Sequence, residues 1–179
     1  YPSARPRRLR QHDWIRRLVR EHRLSSDDLI WAMVVHDGRD DEIPVAAMPG
    51  VARLSVDAAA KAAKRAQKLG IPAIAVFPHI DAAKKDVSGS EALNPNGLVC
   101  TAVRAMKDAA PDVGIMVDVA LDPFTDHGHD GLLKDGRILN DETVKVLVEQ
   151  ALIQVKAGAD IVAPSDMMDG RVGAIRAGL

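Results

Sequence analysis

Four short apolar runs alternate with stretches that have the periodicity of amphipathic helices, and this alternation limits the fold more than any other feature. No run exceeds nine residues, a length too short to span a membrane and typical of a strand buried in a sheet. Apolar strands separated by helices predict an α/β fold with a parallel sheet whose outer face the helices cover. The runs are Leu29–Val35, Ile71–Phe77, Val113–Leu121 and the segment from Ile161 to Pro164.

The intervening stretches carry helix start and stop signals. Ser55 is a candidate N-cap for a helix that ends at Leu69 and Gly70. The clearest helix opens at Asn140 and ends at Gly158, and its apolar residues recur at the i, i+3, i+4 and i+7 positions. These apolar residues are Val144, Leu147, Val148, Ala151, Leu152 and Val155.

Two closures of such a sheet are possible, an open doubly wound sheet and a (β/α)8 barrel. The first strand lacks the G-x-G-x-x-G turn of nucleotide-binding open sheets, and polar residues follow each strand, where barrels carry their chemistry. Because a whole barrel needs about 250 residues, residues 25–179 are predicted to be the first half of a TIM barrel. We expect open edges on the first and fourth strands and a chain that continues past Leu179. The polar residues at the carboxyl ends of the predicted strands are His36, Asp37, His79, Asp118, Asp122, Ser165 and Asp166.

Residues 1–24 form a basic arm. They carry eight arginines against Asp13 and Glu21, a balance of +6, so with a net charge of −1 the remainder is near −7. We expect the arm to dock on the acidic body of a neighbouring subunit. Nucleic-acid binding is the alternative, disfavoured because only Trp14 is interleaved with the arginines. The segment has no apolar signal-peptide core and begins at Tyr1, so we expect it to have been trimmed at that end.

The single cysteine, Cys100, excludes an internal disulfide and favours a reducing, cytoplasmic location. It falls on the apolar face of a predicted helix. A buried structural thiol is therefore the preferred interpretation, and a nucleophile is the alternative.

The segment 118–131, DVALDPFTDHGHDG, is the strongest candidate for one wall of an active site. An aspartate inside an apolar strand is costly unless it is paired, so Asp118 is interpreted as functional. Alternation places Asp118, Ala120 and Asp122 on one face, and Asp130 returns beyond a turn with two histidines. Such a group suits a hard cation or proton transfer, although Asp122 and Asp130 are equally compatible with ordinary turn formation.

A second candidate group follows the fourth strand, where Ser165 and Asp166 would point into the mouth of a barrel. A helix cap could explain Ser165 or Asp169 singly, but not both together with Asp166 and Arg171. None of the nine lysines is predicted to stand at a strand end. The chain therefore does not supply the desolvated lysine that Schiff-base chemistry requires.

Segments 163–176 (APSDMMDGRVGAIR) and 118–131 resemble the signature segments of the porphobilinogen synthase (δ-aminolevulinic acid dehydratase) family. The resemblance implies a TIM barrel with an arm that wraps a partner, and dimers that assemble into a homo-octamer. It implies condensation of two molecules of 5-aminolevulinate, with loss of water, to porphobilinogen for haem and other tetrapyrroles. It also implies Schiff-base lysines on later strands, past Leu179, and an N-terminal half that is inactive alone. Shorter matches are Arg7–Arg10, Asp28–Trp31, Met48–Val51, Asn140–Thr143, Gln150-Ala151 and Ala157–Asp160.

The resemblance also assigns roles to particular residues. Asp118 matches the family's pocket aspartate, implied as a proton-transfer group or as a partner of the substrate amino group. Ser165 and Asp166 match residues that line the site near the Schiff-base lysines.

At the metal positions the chain departs from the zinc-type members, which carry three cysteines where it has Ala120, Asp122 and Asp130. A methyl group cannot ligate, and carboxylates favour hard ions over zinc. We therefore predict no catalytic zinc, with Asp122 and Asp130 as ligands of magnesium or potassium if an ion is bound. The remaining interpretation from another class is a non-catalytic assembly or regulatory module that docks through its arm.

Overall fold

The computed structural model describes residues 3–4, 6–39 and 42–179, which contain a six-stranded sheet and a separate two-stranded hairpin. Arg5, one of the eight arginines of the arm, and Tyr1 lie outside the described residues. The sheet strands are β1 (Ile30–His36), β2 (Glu42–Pro44), β3 (Ala52–Ser55), β4 (Ala73–Pro78) and β5 (Gly114–Val119), followed by the hairpin strands β6 (Leu133–Lys134) and β7 (Arg137–Ile138) and by the last sheet strand, β8 (Ile161–Pro164).

The sheet has the strand order β2-β3-β1-β4-β5-β8. β2 pairs antiparallel with β3, and the other neighbours pair parallel. The parallel α/β architecture expected from the alternation of apolar runs and helices is therefore confirmed, and the four predicted strands are adjacent in chain order.

Five α-helices complete the described chain, and helix α2 shows why the sequence signals worked. The Ser55 hydroxyl accepts a hydrogen bond from the Ala58 N–H (3.2 Å), as an N-cap should. At the other end Gly70 has φ = 71°, the left-handed conformation that favours glycine after a helix. The helices are α1 (Asp13–Leu18), α2 (Val56–Leu69), α3 (Leu98–Ala109), α4 (Asn140–Lys156) and α5 (Arg171–Gly178). No helix within the described ranges is long and apolar enough to cross a membrane.

Helices α2 to α4 share one face of the sheet, and this decides which side chains are buried. Helices α2 to α5 pack in succession, each against the next, as same-handed crossovers between adjacent parallel strands require. On β5, Ile115, Val117 and Val119 belong to the hydrophobic core. Met116 and Asp118, which alternate with them, are half-buried on the face opposite the helices. The face of β5 that the helices cover is therefore buried and its other face is half-buried, in agreement with the prediction that helices cover the outer face of the sheet.

The predicted open edge of β1 is only partly present. Strand β3, which the sequence did not reveal, pairs with β1 from Val34 to His36, so the described sheet ends at β2 on that side. On the other side β8 is the edge strand, as expected. The segment ARLS escaped prediction because it is short and because Arg53 interrupts its apolar character.

Helix α4 differs in detail from its predicted form. It begins at Asn140, as predicted, with Leu139 as its N-cap residue, but its buried face differs in part from the one expected. Val155 is 38% exposed, whereas Gln150 and Gln154 are buried at 0% and 2%. The buried face therefore includes two polar side chains that an apolar pattern does not predict.

Two smaller expectations had different outcomes. Cys100 is buried at 3% exposure, and burial raises the pKa of its thiol, in agreement with a structural role. Lys134 ends β6, so the prediction that no lysine stands at a strand end is wrong for this residue. It escaped notice because a two-residue hairpin strand has no hydrophobic pattern, and it lies outside the parallel sheet.

Candidate active site

The carboxyl ends of β5 and β8 bring the two candidate groups together. The register pairs Asp118 with Ala163 and Val119 with Pro164. Because side chains of paired residues lie on the same face and alternate along the strand, Ser165 follows Ala163 onto the face that carries Asp118. There the Ser165 hydroxyl donates a hydrogen bond to Asp118 Oδ1 (2.6 Å). The structure thus joins a residue from each predicted segment by direct contact.

The Asp118 carboxyl lies in an environment that disfavours its charge. Burial raises its pKa above the ordinary value, and the Ser165 hydrogen bond acts in the opposite direction. The negative charges of Asp130 and Asp166 raise the pKa further. A carboxyl with a raised pKa is better able to give and take a proton near neutral pH.

Asp122 and Asp130 complete a group of carboxylates around Asp118. Asp122 follows the end of β5, so the loop rather than strand alternation determines its position. Burial raises the pKa of Asp122, the charges of Asp130 and Asp118 add to this effect, and Lys85 opposes it. Among the residues that the structure describes, no three His, Cys, Asp or Glu side chains are arranged as a metal-binding cluster.

The loop that carries Asp130 packs against the loop after β8. A Cβ atom added to Gly131 would lie 2.6 Å from Ile138 Cγ2 and 3.0 Å from Met168 Cε. Glycine is therefore required where the two loops meet. The turn before it is fixed by the Thr125 hydroxyl, which donates to the His129 carbonyl (2.9 Å).

Asp166 is engaged within its own loop. It is 2% exposed, and its Oδ1 accepts a hydrogen bond from the Met168 N–H (2.7 Å). Its Oδ2 lies 2.9 Å from Arg171 Nε in an ion pair. Both oxygens are thus used to fix the start of α5, and Asp166 acts on Asp118 through its charge rather than by contact.

The polar residues that follow β1 and β4 lie on the same edge of the sheet. His36 is buried, and its Nδ1 accepts from the Gly38 N–H (3.0 Å). Asp37 pairs with Lys84 at 2.6 Å, and this hydrogen bond lowers the pKa of Asp37. Burial lowers the pKa of His79, and the positive charge of Arg53 on β3 adds to that effect. Sequence reasoning missed Arg53 because it had assigned no strand there.

Three amide side chains of α4 were also missed as contributors to the site. Gln154 Nε2 donates to the Asp118 carbonyl (3.1 Å) and Gln150 Nε2 donates to the Ala120 carbonyl (3.2 Å). Asn140 accepts from the Asp169 N–H (2.7 Å) and donates to the Asp169 carbonyl (3.2 Å). Two glutamines four residues apart among core positions are the signal that could have revealed the first pair.

Comparison with known proteins decides the family. The model of the delta-aminolevulinic acid dehydratase family matches residues 3–179. The chain belongs to this family. A delta-aminolevulinic acid dehydratase from Bradyrhizobium diazoefficiens is 62% identical over 177 residues, covering 99% of this chain and 50% of the relative. The enzyme of the same name from Rhodobacter capsulatus is 46% identical and covers 98% and 53%.

A solved structure of the delta-aminolevulinic acid dehydratase family has the same fold. It is the Toxoplasma gondii delta-aminolevulinic acid dehydratase (porphobilinogen synthase) in complex with the reaction product porphobilinogen. It superposes with a TM-score of 0.92 at 46% identity, covering 98% of this chain and 50% of that one. The chain thus spans about half the length of the family members that it matches.

Proposed function

We propose that this chain is the part of a porphobilinogen synthase that supplies one wall of the active site. The enzyme condenses two molecules of 5-aminolevulinate, with loss of water, to porphobilinogen for tetrapyrrole synthesis, and it is a lyase of the hydro-lyase type. The observation that carries the proposal is the Ser165–Asp118 hydrogen bond at the carboxyl edge of a parallel sheet, in a chain of the delta-aminolevulinic acid dehydratase family.

The proposed architecture is the first half of a TIM barrel. A parallel sheet in chain order with helices on one face is the repeating pattern of such a barrel. In this arrangement the face that carries Asp118 becomes the barrel interior. The Schiff-base lysines would come from strands outside these 179 residues, because none of the strands of the described sheet carries a lysine.

Asp118 is proposed as the proton-transfer group or the partner of a substrate amino group. Its raised pKa supports the first role, and its carboxylate form would support the second. Ser165 orients the carboxyl through its hydrogen bond to Oδ1. Asp166 is proposed as a residue that lines the site from within the loop after β8, where its charge keeps the pKa of Asp118 raised.

Asp122 and Asp130 are proposed as ligands of magnesium or potassium rather than zinc. Their donor chemistry fits a hard cation, since a positive ion would relieve the repulsion between carboxylates that raises the pKa of Asp122. Ala120 offers no donor atom. Such an ion would supply charge neutralisation beside the reacting groups, and the steps assigned above to Asp118 and Ser165 do not depend on it.

The basic arm is proposed to dock on a second subunit in a homo-octamer. Large apolar side chains of residues 1–24 are exposed in the isolated chain, namely Trp14 at 63%, Leu18 at 75% and Leu24 at 82%. An exposed apolar stripe beside arginines is suited to a partner surface that is both apolar and acidic. Sedimentation of the full-length protein with and without residues 1–24 tests this role of the arm. The same arm-dependent assembly is expected if the chain belongs to a non-catalytic assembly module.

The catalytic proposal is tested with a full-length protein that contains these residues. We expect porphobilinogen from 5-aminolevulinate, and a borohydride-trapped adduct of enzyme and substrate. Asp118→Asn should lower kcat by roughly 10²- to 10⁴-fold, whereas Asp108→Asn, on the exposed side of α3, should leave it unchanged. Absence of both product and adduct in the unmodified protein would refute the proposal.

A further inference from the structure

Helix α4 binds the end of β5 through two buried glutamines. Gln150 and Gln154 are fully or almost fully buried, and each Nε2 donates to a main-chain carbonyl, of Ala120 and Asp118 respectively. Four helical residues rise about 6 Å, and two strand residues span about 6.6 Å. The spacing of the two glutamines along the helix therefore matches the spacing of the two carbonyls along the strand. Because the helix runs antiparallel to β5, the later glutamine, Gln154, reaches the earlier residue, Asp118.

The carbonyl of Asp118 needs this donor because its strand neighbour cannot provide one. Gly114 N–H donates to the Pro72 carbonyl, and the register pairs Val76 with Val117. The main-chain N–H and C=O groups of the even-numbered residues of β5 therefore point towards β4. When this register is continued to the end of β4, the residue whose main-chain N–H would donate to the Asp118 carbonyl is Pro78. Proline has no N–H. Gln154 replaces the missing ladder hydrogen bond.

The arrangement does not fit a role in stability alone. Oε1 of both glutamines is buried without a hydrogen-bond partner among the described residues, which is unfavourable for folding. Apolar residues of similar length would avoid that cost but would leave the carbonyls of Asp118 and Ala120 without these donors, so each glutamine satisfies one buried polar group at the expense of another. The side-chain amides instead donate to the carbonyl of Asp118, whose carboxyl contacts Ser165, and to the carbonyl of Ala120.

We propose that Gln154, assisted by Gln150, is a positioning residue for Asp118: it fixes the main chain at the end of β5 so that the carboxyl faces Ser165 and the substrate. This inference rests on the proposed function. It adds a group that touches neither substrate nor the reacting atoms and acts through the Asp118 carbonyl.

The test uses the full-length protein with Gln154→Met, which removes the donor and keeps the side-chain length. We expect kcat to fall by roughly 10- to 100-fold, KM to change by less than about threefold, and the acidic limb of the kcat–pH profile to shift. Gln67→Met is the matched control, because Gln67 is exposed on α2 and its side chain makes one described hydrogen bond, to Asp112. This control should behave as wild type.

Rescue separates positioning from packing. Pro78→Ala restores a backbone N–H directed at the Asp118 carbonyl, so the double variant Pro78→Ala/Gln154→Met should recover kcat to within about fivefold of Pro78→Ala alone. A packing defect at Gln154 would not be repaired in this way. Wild-type kcat in Gln154→Met, or a loss that Pro78→Ala leaves unrepaired, would overturn the proposal.

Hydrogen exchange gives a readout that does not need catalysis. The peptide covering residues 115–121 should exchange faster in Gln154→Met and return towards wild type in the double variant. If the unmodified protein makes no porphobilinogen, the proposed function fails while this exchange pattern still reports on the positioning contact. If Gln154→Met does not fold, Gln150→Met provides the same comparison at the Ala120 carbonyl, and unchanged exchange there would count against the proposal.

Discussion

Ser165 donates a 2.6 Å hydrogen bond to the carboxyl of Asp118, which lies 47 residues earlier in the sequence. The contact joins the ends of two paired strands, β5 and β8. The bond stabilises the charged form of Asp118, while burial and two neighbouring carboxylates favour the neutral form. The pKa of Asp118 therefore reports how these opposing effects balance.

Removal of the hydroxyl should shift the pH dependence of catalysis. In Ser165→Ala the carboxylate loses a donor, so the pKa of Asp118 rises further, and the ionised form, which would accept a proton or bind a substrate amino group, is lost at a higher pH than in wild type. We expect kcat/KM at neutral pH to fall by about tenfold. Ser165→Thr, which keeps the hydroxyl, should retain the wild-type profile; identical profiles for alanine and wild type would contradict the assignment.

Asp118→Asn should stabilise the protein while it inactivates it. A carboxyl whose folded-state pKa is raised favours folding when it is protonated, and this contribution is lost as pH rises from the unfolded value, about 3.9, through the raised folded value. At neutral pH the asparagine removes a poorly solvated charge, so the denaturation midpoint should increase. The difference between the two proteins should shrink below pH 4, which urea denaturation at several pH values would show.

The Asp166–Arg171 pair should matter more for stability than an exposed arginine of the same helix. Arg171→Met leaves the buried Asp166 charge without its partner and should cost about 2–4 kcal/mol. Arg176→Met, on an exposed position of α5, is the matched control and should change the free energy of unfolding by less than about 0.5 kcal/mol. Equal effects of the two substitutions would show that the pair is not important.

An added side chain at the junction of the two site loops should destabilise the protein. Gly131→Ala brings a Cβ into contact with Ile138 and Met168 and should destabilise by about 1–2 kcal/mol, the lower part of the overpacking range because Met168 can move. Gly173→Ala has open space around its Cβ and lies within α5, so it should stabilise by about 0.5–1 kcal/mol. Chemical denaturation of both variants tests the opposite signs.

Metal dependence should be that of a hard cation. Activity of the full-length protein should survive a zinc chelator such as 1,10-phenanthroline, and added magnesium or potassium should not inhibit it. Asp122→Asn should weaken any stimulation by these ions without exposing a zinc requirement. Stoichiometric bound zinc that is lost together with activity would contradict the prediction.

Some features could be predicted because they are local. The four apolar runs, the Ser55 cap and the Gly70 stop each depend on residues within one turn or one strand, and all of them are present in the structure. Asp118 stood out for the same reason, since a carboxyl in an apolar strand is unfavourable wherever that strand lies. The motifs in segments 118–131 and 163–176 carried the family, which the comparison confirmed.

Other features required the tertiary structure because they depend on which groups lie side by side. No local pattern shows that the Asp118 carbonyl faces a proline nitrogen, or that Gln154 must supply the missing donor. In the same way, strand β3 exists because β1 offers it a pairing edge, not because ARLS favours a strand. The sequence by itself determined the order of the four apolar strands and of the helices between them, and the chemistry at the ends of those strands. Only the packing of α4 on β5, and of β8 beside it, decided which of these groups touch, because hydrogen bonds act over about 3 Å.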